Sequence, residues 1–318
     1  MPHDAVSRIS GDARLRRRML GAAVALNIAL AAPIAPASAG GLRADLSRVQ
    51  SWGYQLQEVD PRQVANSAYD LMVIDYSRDG TAETAFTRAD VATMQTKPDG
   101  GKRLVIAYLS IGEAEDYRFY WQATWHAAPP EWLGAENEDW EGNYAVRYWS
   151  AEWQSIIFGR PSSYLDAIID AGFDGVYLDR IDAFDVEDPD LGRADRMAAM
   201  SAFVDALARY ARGKQPGFAV VGQNAEELLV DARYAEAIDA VGKEDLFFGL
   251  DGDGMRNSHA ELRASLFLLQ PFQRTGKPVF VVEYLKSAKS SQEARASASQ
   301  LGAPLFIANR KLDDVESR

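Results

Sequence analysis

Two carboxylates stand just behind a short apolar run in the middle of the chain. Residues 172–182 read GFDGVYLDRID, and the VYL run at 176–178 suits a strand that is buried on both faces. Asp179 comes where this strand ends, and in parallel α/β proteins ligands and chemistry lie at the carboxyl ends of the strands. Asp179 is therefore a candidate catalytic carboxylate, with Asp182 as its rival. A helix cap or an ion pair with Arg180 would explain the same residue without chemistry.

Acids and amides also end most of the other short apolar runs of the chain. If these runs are parallel strands, their carboxyl ends meet at one rim, where the polar side chains would gather. Carboxylates and amides hydrogen-bond hydroxyls and amines, and two carboxylates can cleave a glycosidic bond. Acidic loops near helix N-termini would account for part of the set without a ligand. The set consists of Asp75, Glu113, Asp179, Gln223, Asn224, Glu226, Glu244, Glu283 and Asn309.

The residues that other hydrolytic or cofactor-based chemistries need are scarce. The chain has no cysteine, and its three histidines, His3, His126 and His259, lie on unrelated segments, so neither a zinc site nor a Ser-His-Asp triad is indicated. The Gly-x-Ser-x-Gly and P-loop patterns are missing. The DGDG run at 251–254 lacks the later ligands of a calcium loop and is interpreted as a turn. The sequence therefore predicts carboxylate chemistry without a metal or a cofactor.

Eight strand-like runs, which alternate with helical stretches, must position these carboxylates. Eight such units in about 280 residues match the size and strand count of a TIM barrel, the (β/α)8 fold. An open doubly wound sheet is the alternative, but it favours a Gly-x-Gly-x-x-Gly turn after its first strand, and that pattern is absent there. The helical stretches include residues 152–171 and 227–238. The runs are 52–56, 71–76, 103–111, 176–178, 218–221, 240–244, 278–282 and 304–308.

An aromatic-rich insertion follows the third run and interrupts the alternation. Residues 116–150 lack strong periodicity, and six of the seven tryptophans fall between 121 and 153. Aromatic faces stack on sugar rings and bind cations, so the insertion suits a sugar platform; alternatively, it builds a small core of its own. Trp149 and Trp153 are predicted core residues, because they are four apart at the start of a helix. The predicted platform residues are Trp121, Trp125, Trp132 and Trp140.

The first 39 residues have the features of a secretory signal peptide. Five arginines precede or adjoin an apolar run at 19–32, and Ala-Ser-Ala at 37–39 supplies small residues at the expected cleavage spacing. The RRRML sequence at 16–20 also resembles a twin-arginine signal. Because the apolar run is short for a membrane span, we expect a domain of residues 40–318 that is exported to the periplasm or the extracellular space, with no stable membrane span after cleavage. An uncleaved anchor is the alternative.

The charge balance narrows the possible partners. The formal net charge is −12, and it becomes −15 without residues 1–39, which carry five Arg and two Asp. Nucleic acid and anionic lipid are poor partners for so acidic a chain, whereas a cationic substrate would suit it. Solubility alone would also explain the charge. Without disulfides the domain must depend on its hydrophobic core, for which its length is ample.

Several motifs resemble those of one family of carbohydrate-cleaving enzymes. The sequence YLSIGEAEDYR at 108–118, with Tyr120-Trp121 behind it, looks like the third-strand signature of glycoside hydrolase family 114. GFDGVYLD at 172–179 resembles the fourth-strand motif of that family. Gln223-Asn224 and the KED sequence at 243–245 resemble the ends of its fifth and sixth strands. The resemblance covers nearly the whole chain behind the signal.

The resemblance implies an exported TIM barrel with endo-α-1,4-polygalactosaminidase activity, the hydrolysis of galactosamine-containing exopolysaccharide. It places the family's paired carboxylates at Asp179 and Glu244, and our hypothesis is that Asp179 is the nucleophile and Glu244 the general acid/base of a retaining mechanism. The expected partner is then a cationic amino-sugar polysaccharide. The implied substrate-binding residues are Asp75, Glu113, Glu115, Asp182, Asn224, Glu226, Glu283, Tyr284 and Trp121.

Two other functions fit the same residues. A catalytically silent barrel that binds exopolysaccharide would use the aromatic and acidic side chains equally well. A hydrolase of a different glycan would use the same carboxylates, because strand-end residues determine the reaction class far better than they determine the sugar.

Overall fold

The computed structural model of the protein describes residues 46–315. The predicted signal peptide at residues 1–39 lies outside this range. Between residues 46 and 315, none of the helices is both long enough and apolar enough to cross a membrane.

Eight parallel strands form a nearly closed barrel, and all eight predicted runs are confirmed. Even the short sixth run pairs with a strand on each side. Because neighbouring strands follow the order of the chain without reversal, the fold is a (β/α)8 barrel and not a doubly wound sheet. In spatial order the strands are β1 (Trp52–Gln55), β2 (Leu71–Ile74), β3 (Leu104–Ser110), β7 (Gly175–Asp179), β8 (Ala219–Gln223), β9 (Ala240–Glu244), β12 (Val279–Glu283) and β13 (Leu305–Ile307).

The barrel closes between its first and last strands without a hydrogen-bonded ladder. β1 and β13 lie side by side, and the Trp52 indole donates to the carbonyl of Pro304 at 3.2 Å. The carbonyl of Leu312, beyond β13, accepts from the backbone N–H groups of Leu56 and Gln57 at 2.8 and 2.9 Å. A side chain and the C-terminal tail therefore join the two ends of the barrel.

Between residues 46 and 315, eight α-helices accompany the strands, and the shortest of them have six residues. A 3-10 helix, Glu226–Val230, precedes the sixth of them. The helices are α1 (Pro61–Asn66), α2 (Arg88–Met94), α3 (Ala151–Ile157), α4 (Tyr164–Ala171), α5 (Arg193–Lys214), α6 (Ala232–Ala237), α7 (His259–Gln273) and α8 (Ala288–Leu301).

Two stretches, each predicted as one continuous helix, are interrupted in the structure. The stretch 152–171 is broken into α3 and α4, because Gly159 takes a φ of +96° and Pro161 follows it. The stretch 227–238 is divided at Asp231, whose side chain accepts from the backbone N–H of Arg233 and so caps α6. In both cases a local backbone signal outweighs the apolar pattern.

Two apolar layers stabilise the barrel. One fills its interior, where Trp52 stacks on Tyr54 and Tyr177 with ring centroids 6.1 and 6.4 Å apart. The other lies between the strands and the helices. Because side chains alternate along a strand, each strand gives one row of residues to the interior and one to the outer layer. Each inward row ends at the mouth, by which we mean the carboxyl end of the barrel strands.

The insertion after β3 forms a small antiparallel sheet with an aromatic core of its own. Trp125 and Trp132 are buried there and pack edge to face at 5.1 Å, and Trp132 contacts the fully buried Trp153. The prediction that Trp125 and Trp132 form a sugar platform is therefore wrong, whereas the core position of Trp153 is confirmed. The strands of this sheet are β4 (Glu113–Glu115), β5 (Leu133–Asn137) and β6 (Trp140–Val146).

A two-stranded hairpin follows β9. Its strands are β10 (Phe248–Gly249) and β11 (Gly252–Arg256). The turn that the sequence predicts at 251–254 is confirmed only at its start, since residues 250 and 251 form the turn and 252–254 already belong to β11.

A close approach between β8 and α6 gives a prediction about stability. A Cβ atom on Gly222 would lie 2.2 Å from the hydroxyl oxygen of Tyr234, and that buried hydroxyl has no hydrogen-bond partner among residues 46–315. We expect Gly222→Ala to lower the free energy of unfolding by roughly 1–3 kcal/mol through overpacking. Adding Tyr234→Phe should restore most of the loss, because the next contacts lie at 3.2 Å or more.

Denaturant unfolding of the single and double variants measures this coupling. Gly213→Ala is the control, since nothing lies within 4 Å of its Cβ position on α5, and it should be neutral or stabilising. Additive effects of Gly222→Ala and Tyr234→Phe would contradict the proposed contact.

Candidate active site

Six polar side chains continue the inward rows of the barrel strands to the mouth. On β7, for example, Tyr177 belongs to the interior layer, so Asp179, two residues on, faces the same way. On β9 the same alternation carries Gly242 and Glu244 inward, and a Cβ on Gly242 would touch Tyr177. These six side chains are Asp75, Tyr108, Asp179, Gln223, Glu244 and Tyr284.

Asp179 and Glu244 end inward rows on two strands of the same side of the barrel. The strand between them, β8, separates them by one position in the barrel. Gln223, at the end of β8, connects the interior layer with Glu244, since its Oε1 accepts from the Tyr54 hydroxyl at 3.5 Å and its Nε2 donates to Glu244 at 2.6 Å. Burial raises the pKa of both Tyr54 and Tyr177 well above the ordinary value, and the charges of Glu244 and Asp179 contribute to both shifts. The role of the two carboxylates as a catalytic pair stays a prediction.

Asp179 is a half-buried carboxyl held by two donors. The Tyr108 hydroxyl donates to Oδ2 at 2.6 Å, and the backbone N–H of Arg180 donates to Oδ1 at 2.7 Å. Desolvation and the Glu244 charge together raise the pKa of Asp179 to about 7, against the lowering effects of the Tyr108 hydrogen bond and the Arg180 charge. Asp179 therefore exchanges its proton near neutral pH.

Glu244 accepts hydrogen bonds from three side chains. The amide groups of Gln223 and Asn224 donate to Oε2 at 2.6 and 3.1 Å, and the Tyr284 hydroxyl donates to Oε1. The backbone N–H of Glu244 in turn donates to the side-chain Oδ1 of Asn224 at 3.0 Å. The predicted residues Asn224 and Tyr284 thus lie in direct contact with Glu244.

Three neighbouring strands end in the same unusual backbone conformation. Arg180, Asn224 and Asp245 follow β7, β8 and β9, and their φ angles are +57°, +53° and +52°. Non-glycine residues rarely adopt this left-handed region, and such strained positions cluster at functional sites. The conformation ends each strand abruptly and turns the following side chain along the rim.

Glu113 links the mouth to the insertion. Its Oε1 pairs with the Arg180 guanidinium at 3.0 Å and accepts from Asn137 at 2.9 Å, while Asn143 reaches Oε2 at 3.4 Å. Burial raises the pKa of Glu113, although Arg180 opposes the shift. Asp182 lies at the rim, half-exposed, 3.9 Å from Arg180.

Two further predicted residues, Asp75 and Glu115, form ion pairs with the same arginine, Arg118. Arg118 is buried and reaches both oxygens of Asp75 at 2.8 Å, and its Nε lies 2.6 Å from Glu115 Oε2. The Tyr117 hydroxyl donates to the other oxygen of Glu115 at 2.6 Å. Both carboxylates serve this ion-pair cluster, and their contact with a substrate stays a prediction.

Glu226 and Glu283 are not brought to the mouth with Asp179 and Glu244. Lys243 precedes Glu244 and so faces the outer layer, where it pairs with Glu226 at 3.1 Å. Burial raises the pKa of Glu226, but the Lys243 charge lowers it below its ordinary value. Glu283 also faces outward, is fully buried, and accepts from the N–H of Phe247 at 2.7 Å, and burial raises its pKa to about 8.

Trp121 belongs to the aromatic cluster of the insertion. Its ring lies 4.8 Å from Tyr144 and 5.0 Å from Trp125, and its indole N–H donates to His126 at 3.3 Å. Trp140, at the start of β6, is the most exposed of the four predicted platform residues, with 51% of its surface accessible. Both remain platform candidates.

Sequence reasoning missed Tyr108, which holds Asp179, and Tyr177, which lies beneath the two acids. Tyr108 opens the third-strand motif, and stepping back two residues from Asp179 leads to Tyr177, so strand alternation was a usable signal for both. Arg310 was also missed, although it continues the inward row of Phe306 and Ala308. Its guanidinium lies 4.4 Å from the centre of the Tyr284 ring.

Comparison with known proteins identifies the family. The model of the glycoside-hydrolase family GH114 matches residues 32–318. The uncharacterized protein MJ1477 of Methanocaldococcus jannaschii is 41% identical over 248 residues, which are 76% of this chain and 68% of that protein. A protein of Deinococcus radiodurans is 38% identical over 275 residues, 85% of this chain and 83% of that protein.

Solved structures agree with the fold. Aspergillus fumigatus Ega3, in a crystal structure with galactosamine, has a TM-score of 0.64 and 22% identity, over 87% of this chain and 98% of that chain. The glycoside hydrolase domain of PelA from Pseudomonas aeruginosa has a TM-score of 0.64 and 20% identity, over 84% and 97%. Since the family model spans nearly all of the sequence, the chain belongs to family GH114, and the protein is a glycoside hydrolase.

Proposed function

We propose that the protein hydrolyses α-1,4-linked galactosamine-containing exopolysaccharide by a retaining mechanism, with Asp179 as nucleophile and Glu244 as general acid/base. The observation that carries the proposal is geometric: these two carboxylates end the inward rows of β7 and β9, the strands on either side of β8, and each accepts a tyrosine hydroxyl at the barrel mouth. The likeness to Ega3, which was crystallised with galactosamine, supports an amino sugar as the substrate. The predicted signal peptide supports export of the enzyme.

The proposed reaction has two steps at one anomeric carbon. Asp179 attacks this carbon while Glu244 gives its proton to the departing glycosidic oxygen, which forms a glycosyl-enzyme ester. Glu244 then takes a proton from water, and the water displaces Asp179, so that the product keeps its configuration. Tyr108 would hold the attacking carboxylate, and Tyr284 would hold the acid/base, through the hydrogen bonds already described.

The proposed mechanism needs Asp179 in its ionised form. Burial, with the nearby Glu244 charge, raises the pKa of Asp179 to about 7, so below that pH its carboxyl holds a proton and is a poor nucleophile. A bound ammonium group beside Asp179 would favour the ionised form. A cationic substrate would thus prepare the nucleophile for attack.

Removing either carboxylate tests the reaction class. We expect Asp179→Asn and Glu244→Gln each to lower polymer cleavage roughly 10²- to 10⁴-fold, because each amide keeps the shape but loses the proton chemistry. Reducing-end release from polygalactosamine and from a panel of neutral polysaccharides measures the loss and the substrate range. Asp205→Asn, on the outer helix α5, is the matched control and should leave activity unchanged. Near-wild-type activity in either site variant would remove that residue from its role, and cleavage of a neutral glycan alone would contradict the proposed substrate.

Azide rescue tests the assignment of the two roles. With a galactosaminide that carries an activated leaving group, azide should replace the missing carboxylate of Asp179→Gly and yield the β-azide. In Glu244→Gly it should attack the glycosyl-enzyme from the opposite side and yield the α-azide. Nuclear magnetic resonance of the products distinguishes the anomers. The reverse pair of products would exchange the roles, and rescue of neither variant would argue against a retaining mechanism.

The pH profile tests the proton balance at Asp179. Because its pKa is raised to about 7, the carboxyl is protonated and unreactive below that pH, so kcat/KM should rise with pH through about 7. Tyr108→Phe removes a hydrogen bond to the ionised form, which should raise the pKa of Asp179 and move the acid limb upward by roughly one pH unit. Tyr234→Phe should leave the limb in place. An unmoved limb in Tyr108→Phe would show that another group sets it.

A further inference from the structure

Arg310 contacts three segments around Glu244. It lies behind the last barrel strand, and its Nε pairs with Asp253 of β11 at 2.6 Å. Its Nη2 lies 3.2 Å from Oδ2 of Asp245, the residue that follows Glu244. Its guanidinium carbon lies 4.4 Å from the centre of the Tyr284 ring, at cation–π distance. One cation, itself behind β13, therefore connects β11 with the segments that follow β9 and β12.

Two of these contacts lead directly to Glu244. Tyr284 donates its hydroxyl proton to Oε1 of Glu244, so the plane of the Tyr284 ring determines where that donor lies. Asp245 has a left-handed backbone, with φ of +52°, at the point where β9 ends. An ion pair on its side chain stabilises this conformation and with it the direction in which Glu244 leaves the strand. Arg310 thus acts on the donor and on the backbone of the same carboxylate.

The setting suits an arginine better than any other cation. The side chain of Arg310 is only 21% exposed, and the planar guanidinium can stack on a ring while its edge pairs with two carboxylates. Burial raises the pKa of Asp245 to about 6, and the Arg310 charge opposes that rise. The side-chain amide of Asn257 donates to the backbone carbonyls of Asp245 and Leu246 at 2.7 and 3.0 Å. These hydrogen bonds also hold the segment that follows β9.

We propose that Arg310 is a positioning residue for Glu244 and acts through Tyr284 and Asp245. This inference rests on the proposed function, since it assigns Glu244 the acid/base role. A purely structural arginine would only attach the β10–β11 hairpin to the tail through Asp253, and an ion pair to such an exposed partner stabilises little. The two roles differ in one respect: only a positioning role predicts that catalysis at Glu244 changes in an Arg310 variant that still folds.

Kinetics of four variants test the proposal. In Arg310→Met we expect kcat to fall about 10- to 100-fold with KM within about threefold, because a misplaced catalytic group slows chemistry more than it weakens binding. The pH profile of kcat/KM should also change, since the lost cation lies beside Asp245 and opposes the rise of its pKa. Arg310→Lys keeps the charge and should keep the pH profile, with a smaller loss of kcat. Tyr284→Phe should lose as much as Arg310→Met, and the double variant should lose no more than the larger single loss.

A spectroscopic measurement tests the contact without turnover. With ¹³C at the ζ carbon of tyrosine, the Tyr284 resonance, assigned by its absence in Tyr284→Phe, should shift in Arg310→Met. Arg256→Met is the matched control, because Arg256 lies on the same hairpin but pairs with Glu293 of α8 at 2.7 Å. It should leave the resonance, the pH profile and kcat unchanged, and thermal unfolding should show that both variants fold.

The proposal is overturned if folded Arg310→Met keeps the wild-type pH profile and the Tyr284 resonance, or if its kinetic loss adds to that of Tyr284→Phe. Failure of the proposed function looks different. In that case Glu244→Gln stays active, or no glycan of the panel is cleaved, while the resonance shift in Arg310→Met still shows the contact.

Discussion

Desolvation of the acids at the barrel mouth is the constraint on which the site depends. The interior beneath them is filled by aromatic rings, so a carboxylate that ends an inward row has apolar surface below it. Burial is the main cause that raises the pKa of Asp179 to about 7, although Tyr108 and Arg180 counteract it. Every charge at the mouth must therefore be matched by a placed donor, and its protonation responds to small changes in its surroundings.

The protein treats its buried acids in two different ways. Asp75 and Glu115 share Arg118, and Glu226 pairs with Lys243, so these carboxylates are neutralised by cations. By contrast, the hydrogen bonds described for Asp179 and Glu244 come from neutral groups. These are tyrosine hydroxyls, side-chain amides and a backbone N–H. A carboxylate held by neutral donors keeps its charge available for a ligand. The difference separates the acids suited to chemistry from those that hold the framework.

The barrel strands were predictable because each is a short, apolar, β-prone run, and alternation then assigns its residues to two faces. Glu226 and Glu283 show the limit of that reasoning. Glu283 ends its strand, as Glu244 does, and Glu226 lies just behind β8, but a shift of one residue sends a side chain to the outer layer. The helix predicted over 152–171 failed because a glycine and a proline outweighed its apolar pattern. Alternation alone would have placed Arg310 in the inward row behind Ala308, but its partners Asp253 and Asp245 lie 57 and 65 positions away and no local pattern connects them.

The unladdered junction between β1 and β13 has a consequence for how the chain reaches its native state. The Trp52 indole and the Pro304 carbonyl are 252 positions apart, so their contact carries a large loop-closure entropy and is expected to form late. Until then, the first and last strands present open edges that invite pairing with other chains. Aggregation is therefore most favoured just before the first and last barrel strands meet. The hydrogen bonds to the Leu312 carbonyl then hold the junction closed.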